Sequence, residues 1–149
     1  MFQAWRPRIV ITLTTIGELA DHNAQTLGAD IQALAARWVH LPITDFGTPD
    51  ASFEKRWQDV AEKTLLALQG GGRVLLHCRG GCGRSGMVAL RLMVETGDQV
   101  EDALGHLRAV RPCAVETDAQ FDWAAKGRTR KLPRPGGSYC GEISDLYAS

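Results

Sequence analysis

No apolar run in this 149-residue chain approaches the roughly 20 residues a bilayer-spanning helix needs, so stable membrane insertion is not expected. Neither sign of charge is in excess: 17 Lys plus Arg face 17 Asp plus Glu. Without a global field no nucleic-acid partner is expected, and any preference for phosphate must come from a local site. The segment Met1 to Ile11 carries two arginines but no apolar core with a small-residue cleavage site, so no signal peptide is read and a cytoplasmic location is the expectation. No internal repeat or second domain is evident, and no second Cys/His pair has zinc-finger spacing, so no metal site is expected. Cysteine is sparse: Cys78, Cys82, Cys113 and Cys140. A chain of this length can build a core without disulfides, and two of the four share one glycine-rich loop, which suggests reactive chemistry more than stapling.

What is present is an ordinary apolar content of 44%, arranged in alternating strand and helix patterns. Arg8 to Thr14 is rich in β-branched residues and reads as a strand. Thr15-Ile16-Gly17-Glu18 has capping-box spacing. Gly28 to Arg37, with Ile31, Leu34 and Ala35, reads as a helix, and Trp38 to Leu41 as a strand stopped by Pro42. Ile43 to Asp50 is a loop. Ser52 is a plausible cap for a helix that buries Phe53, Trp57, Val60, Ala61, Leu65 and Leu68. Gly70-Gly71-Gly72 stops it. Arg73 to His77 has the continuous apolar run of a buried parallel strand.

Ser85 to Glu95 reads as a helix that is apolar nearly all round and therefore central. Val100, Ala103, Leu104, Leu107 and Val110 give a further amphipathic helix, ended at Arg111-Pro112. Thr117 or Asp118 can cap a last helix through Phe121, Trp123 and Ala125. The expected architecture is a three-layer α/β domain over residues 1–127. Its sheet is mostly parallel, with about four or five strands flanked by helices. Residues 128–149 are expected to form a tail, mobile or loosely docked.

Between that third strand and the central helix lies Cys78-Arg79-Gly80-Gly81-Cys82-Gly83-Arg84. Consecutive glycines let the backbone curl into a cradle of inward-pointing N–H groups. The helix that follows aims its N-terminal N–H groups and positive dipole end at the same point. Arg79, Gly80, Gly81, Cys82, Gly83 and Arg84 are thus the expected phosphate-binding set, Arg84 offering a planar fork for two phosphate oxygens. The amides and Arg84 favour the thiolate of Cys78. A thiolate beneath a bound phosphate is placed for in-line attack, giving a phosphocysteine that water hydrolyses.

His77-Cys78, five residues, then Arg84-Ser85 resembles the signature of the protein tyrosine and dual-specificity phosphatase superfamily. The resemblance implies that His77 orients the loop and tunes the thiolate, and that Ser85 donates to the cysteine sulfur. It also implies a general acid from an upstream loop. Leu41 to Asp50 is similar to the acid loop of cyclin-dependent-kinase-associated phosphatases, which makes Asp45 the acid and Asp50 the cap of the following helix. Arg111 to Gln120 looks like the family segment that ends in a glutamine near the site, which implies that Gln120 positions the hydrolytic water. Two departures stand out: Cys113 where the family usually has Gly, and no extra strands ahead of the first.

The expected activity is hydrolysis of phosphomonoesters, on phosphotyrosine, phosphoserine or phosphothreonine proteins, without metal or organic cofactor. Two alternatives stay open: a phosphatase of phosphoinositides or another small phosphoester, and a non-catalytic phosphate-binding module. For Cys82 two readings stand as well, a resolving thiol for oxidised Cys78 or a small side chain turned away from the cradle. Oligomeric state is not read.

Overall fold

Three short runs of apolar and β-branched residues become the strands, and the computed structural model describes residues 7–21, 23–33, 36–79 and 82–131. The elements are β1 (Ile9–Thr12), α1 (Ile16–Asp21), α2 (Leu27–Ala33), β2 (Arg37–His40), α3 (Ala51–Gln69), β3 (Val74–His77), α4 (Gly83–Glu95), α5 (Val100–Val110) and α6 (Asp118–Ala125). The sheet is wholly parallel in the order β2-β1-β3. Its register sets Thr12 opposite both His40 and His77, so the three strands deliver their last residues side by side. The chain runs from β1 to one flank, then crosses to the other, and the loops beyond that C-terminal edge are where open α/β sheets hold ligands.

Successive strand side chains alternate between faces. Ile9, Ile11, Leu13, Val39, Val74 and Leu76 join a core with α3, α4, α5 and α6. Val10 and Leu75 pack on the opposite side with Ile31 of α2, against which Trp38 also lies. The three-layer α/β expectation therefore holds. The strand count does not: three strands are present among the described residues, against the four or five expected. Among the described residues, the three segments with a strand-like apolar run are the three that form strands.

The central helix α4 begins at Gly83, two residues earlier than its apolar pattern suggests, and buries all its residues except Met93. Asp50, not Ser52, caps α3: its carboxylate accepts the Phe53 N–H at 2.9 Å. A serine already inside the first turn cannot do this, because the capping side chain must come from the extended residue before the helix. Thr117 caps α6 by accepting the Gln120 N–H. Leu34, Ala35, Gly80, Gly81 and the tail beyond residue 131 lie outside the described residues. The start of that tail is docked, since Arg130 donates from its backbone to Glu95 O at 2.8 Å and from Nε to Glu95 Oε1 at 3.0 Å.

Candidate active site

Cys78 follows the last residue of β3 and is buried, at 8% exposure, with a free thiol. Its sulfur lies 3.8 Å from the carbonyl of Arg79, whose side chain is exposed at the loop rim. His77 closes β3, and its Nε2 is 2.6 Å from Thr12 Oγ1 across the sheet. That hydroxyl also accepts the Trp38 indole N–H at 2.8 Å, so Trp38, Thr12 and His77 form one hydrogen-bonded chain across the three strands. Burial holds the His77 pKa down at about 4, with the neighbouring His40 charge adding to the effect.

Arg84, in the first turn of α4, is 1% exposed. Glu18 takes its end-on fork: Nη1 donates to Oε1 at 2.6 Å and Nη2 to Oε2 at 2.9 Å. The second hydrogen of Nη1 goes to the Ile43 carbonyl at 2.9 Å. A guanidinium has five N–H donors. Among the described residues, Nε–H and the second hydrogen of Nη2 take no hydrogen bond, and these two form the side-on fork. Asp45 Oδ1 stands 3.5 Å from Nη2. Burial opposes the Arg84 charge, but the Glu18 hydrogen bonds and charge outweigh it, with Asp45 and Cys78 adding, and the net shift is upward. Glu18 in turn is held at a pKa of about 2, chiefly by the hydrogen bond from Arg84.

Glu18 was not a candidate in the sequence. Its capping box is present: Thr15 N–H donates to Glu18 Oε1 at 3.1 Å, and Glu18 N–H donates to Thr15 Oγ1 at 3.2 Å. The same carboxylate also meets an arginine 66 residues away. The signal that could have found it is position, because a carboxylate just past the C-terminal end of β1 must face the same edge as the cradle.

Asp45 lies in the turn Thr44 to Gly47, closed by Gly47 N–H to Thr44 O at 2.8 Å. Its carboxylate is half-exposed and accepts the Phe46 N–H at 3.0 Å. Phe46 has φ of 58°, a left-handed conformation that strains a residue with a bulky side chain. Ser85 is completely buried, and its Oγ has no hydrogen-bond partner; a bond from Ser85 to Cys78 is not formed in this structure. Gln120 is also completely buried. Its Oε1 accepts the Glu116 N–H at 2.9 Å, and its Nε2 donates to Gly47 O at 3.2 Å.

Glu116, a second residue not singled out in the sequence, accepts the Gly83 N–H at 2.8 Å with Oε1 and so occupies one donor at the start of α4. Gly83 and Gly86 permit this approach. A Cβ on Gly86 would lie 2.7 Å from Val115 N, and one on Gly83 would meet the Glu116 carboxylate and lie 2.9 Å from Gln120 Oε1.

Cys82 is the N-cap residue of α4 and is disulfide-bonded to Cys113. This corrects, for Cys82, the preference for reactive chemistry over stapling, and of the two readings of Cys82 it leaves no thiol there to resolve an oxidised Cys78. The partner comes from the loop after α5, which Arg108 ties back to α5 by donating to the Ala114 and Val115 carbonyls, both at 3.0 Å. Folding thus brings Cys78, His77, Arg84, Ser85, Asp45 and Gln120 to one edge of the sheet.

A buried free thiol at the end of a central strand and a buried arginine in the first turn of the next helix define a cysteine-dependent phosphatase class, and the comparisons with known proteins agree. Residues 4–98 match the family described as "Polymorphic toxin system, DSP-PTPase phosphatase". The rat cyclin-dependent kinase inhibitor 3 is 32% identical over 124 residues, covering 81% of this chain and 57% of its own length. The human protein of that name is 30% identical with the same coverage. The chain therefore spans a little over half the length of these curated relatives.

Among solved structures, a kinase-associated phosphatase with its catalytic-site cysteine replaced by serine aligns with a TM-score of 0.73 and 27% identity. That alignment covers 83% of this chain and 69% of the other. Tk-PTP in its active form aligns with a TM-score of 0.64 and 29% identity, over 81% and 78%. The chain belongs to the dual-specificity-type family of protein tyrosine phosphatases. No helix among the described residues is long and apolar enough to cross a membrane.

Proposed function

We propose that this protein hydrolyses phosphomonoesters of tyrosine, serine or threonine side chains through a phosphocysteine intermediate. The observation that carries this reading is the free side-on fork of Arg84 beside the buried thiol of Cys78. Glu18 and Ile43 fix the guanidinium in place before substrate arrives, so two donors stand preorganised for two oxygens of a phosphoryl group. Donors aimed at developing charge in a site closed to water stabilise the transition state more than any flexible cation would.

In the first step the Cys78 thiolate attacks phosphorus, the S–P bond forms as the P–O bond breaks, and Asp45 gives its proton to the leaving oxygen. In the second, water attacks the phosphocysteine, Asp45 takes a proton from that water, and the thiolate leaves with inorganic phosphate formed. Ser85, whose buried hydroxyl has no other partner, is available to donate to the departing sulfur. His77, neutral and fixed by Thr12, holds the start of the loop. Arg79 and the cradle backbone surround the remaining phosphate oxygens. The likeness to a kinase-associated phosphatase favours a phosphorylated protein as substrate over a small phosphoester, and a cytoplasmic setting is part of the same reading.

The test is turnover of para-nitrophenyl phosphate and of phosphopeptides by the whole chain. A measurable rate that is lost in Cys78→Ser, while the variant still retains phosphopeptide, supports the mechanism. Phosphopeptide binding with no turnover by the unaltered protein would leave only a phosphate-binding module.

A further inference from the structure

Gln120 links two parts of the site that the chemistry must hold together. Its amide nitrogen donates to Gly47 O, at the end of the turn that carries Asp45. Its amide oxygen accepts from Glu116 N–H, and the Glu116 carboxylate accepts from Gly83 N–H at the start of α4. The path Gly47, Gln120, Glu116, Gly83 therefore runs from the acid turn to the cradle through the buried Gln120 amide and the exposed Glu116. The turn needs such support. Phe46 sits at φ 58° with its side chain 61% exposed, so its own packing does little to hold a strained backbone. Strain of this kind persists only where the surroundings over-determine it. The Gly47-to-Thr44 bond closes the turn from within, and Gln120 is the side chain that grips its exit from outside.

We propose that Gln120 is a positioning residue that locks the Asp45 turn against the start of α4, and that it acts on the step in which Cys78 is phosphorylated. This rests on the phosphatase reading and replaces the water-positioning role for the same residue. The geometry favours the lock because one amide hydrogen and the amide oxygen are already engaged with backbone on both sides of the site, and the residue has no exposure. Those two bonds fix the plane of the amide, and the kinetics below decide whether its second hydrogen also serves the attacking water.

The two roles separate kinetically. kcat/KM reports on steps up to phosphorylation of the cysteine, whereas slow hydrolysis lowers kcat alone and lets the intermediate accumulate. A proton donor matters most for poor leaving groups, and general acids contribute about 10²- to 10⁴-fold. The experiment is rapid-mixing kinetics on the whole chain with a phosphoserine peptide and an aryl phosphate whose phenol is acidic. In Gln120→Ala, kcat/KM for the peptide is expected to fall by about 30-fold and that for the aryl phosphate by less than about threefold, with no burst of phenol.

Gln120→Met keeps most of the buried volume but has no amide to donate to Gly47 O or to accept from Glu116 N–H, so it gives the same pattern with less loss of thermal stability than the cavity left by alanine. A phenol burst with trapped phosphocysteine and unchanged kcat/KM would overturn the lock in favour of water positioning. Equal losses on the two substrates would overturn it as well. Absence of turnover in the unaltered protein overturns the phosphatase reading itself, and is distinct from either result.

Discussion

One helix, α4, carries a buried arginine–glutamate cluster near each end, and the two are built differently. At the C-terminal end Glu95, 3% exposed, is saturated. Trp57 Nε1 donates to its Oε2 at 3.1 Å, Arg130 Nε donates to Oε1 at 3.0 Å, and Arg91 Nε stands 3.8 Å from Oε2. Arg91 is further committed by donating to the Trp123 carbonyl and lying over the Trp123 ring. At the N-terminal end Glu18 and Ile43 hold Arg84 but leave its side-on fork open. The charges are alike, and each end keeps an arginine N–H without a hydrogen bond; at the C-terminal end it is the buried Arg91 Nε. The difference is what stands around it. The Glu95 cluster joins α3, α4 and the start of the tail, whereas Arg84 lies at the loop edge of the sheet with Asp45 3.5 Å away, where the proposed reaction needs a receptor for an anion.

The largest test of this contrast is Arg84→Lys. Lysine keeps the charge but loses the planar fork, and kcat/KM for an aryl phosphate is expected to fall about 10³-fold, or about 4 kcal/mol of transition-state stabilisation. A loss under tenfold would mean that the open fork is not what the site uses. Next is Glu95→Ala, which leaves Arg130 and Arg91 without their buried partner. Denaturant unfolding should show a loss of about 3 kcal/mol, with kcat within twofold of the unaltered protein in conditions where both are folded. A parallel fall in kcat would show that the two ends are not separable.

The smallest effect expected is for Glu18→Gln, with about a tenfold loss of kcat/KM and a changed acid limb of stability. In the unaltered protein the Glu18 contribution is complete above its unfolded pKa of 4.5 and is lost as pH falls toward about 2. The depressed His77 pKa works in the same direction over a higher window, from 6.5 down to about 4. Glu95, raised by burial, works the other way, its contribution weakening as pH rises past 4.5. Stability measured between pH 7 and 2.5 should therefore fall below pH 6.5, and only the part below pH 4.5 should flatten in Glu18→Gln.

What could be read in the sequence was what is local in it. The strand, glycine loop and helix around Cys78 and Arg84 occupy consecutive residues, and so do the Asp45 turn and the stripe of α3. The unread parts join distant segments: Glu18 to Arg84, Glu116 to Gly83 across 33 residues, and Cys82 to Cys113 across 31. No local pattern marks a carboxylate that will cap its own helix and also brace an arginine from another. Ser52 and Asp50 teach the same lesson on a smaller scale, since both are good caps by type and only backbone conformation chooses between them. The excess strands were a property of the fold class, with no run among the described residues behind them.

The Cys82–Cys113 bond closes a covalent ring around α4 and α5. Closing a loop of that length is worth about 3 to 4 kcal/mol against the unfolded chain in the chain-entropy account. The same bond also changes what oxidation can do at the nucleophile. Once Cys82 is spent on Cys113, Cys78 is the one free thiol among the described residues. Its sulfenic acid then has no free thiol among the described residues with which to condense. Reduction of the ring would return Cys82 as a thiol four positions from Cys78. A bond outside the chemical step therefore decides whether Cys82 is open to the sulfur chemistry of the nucleophile.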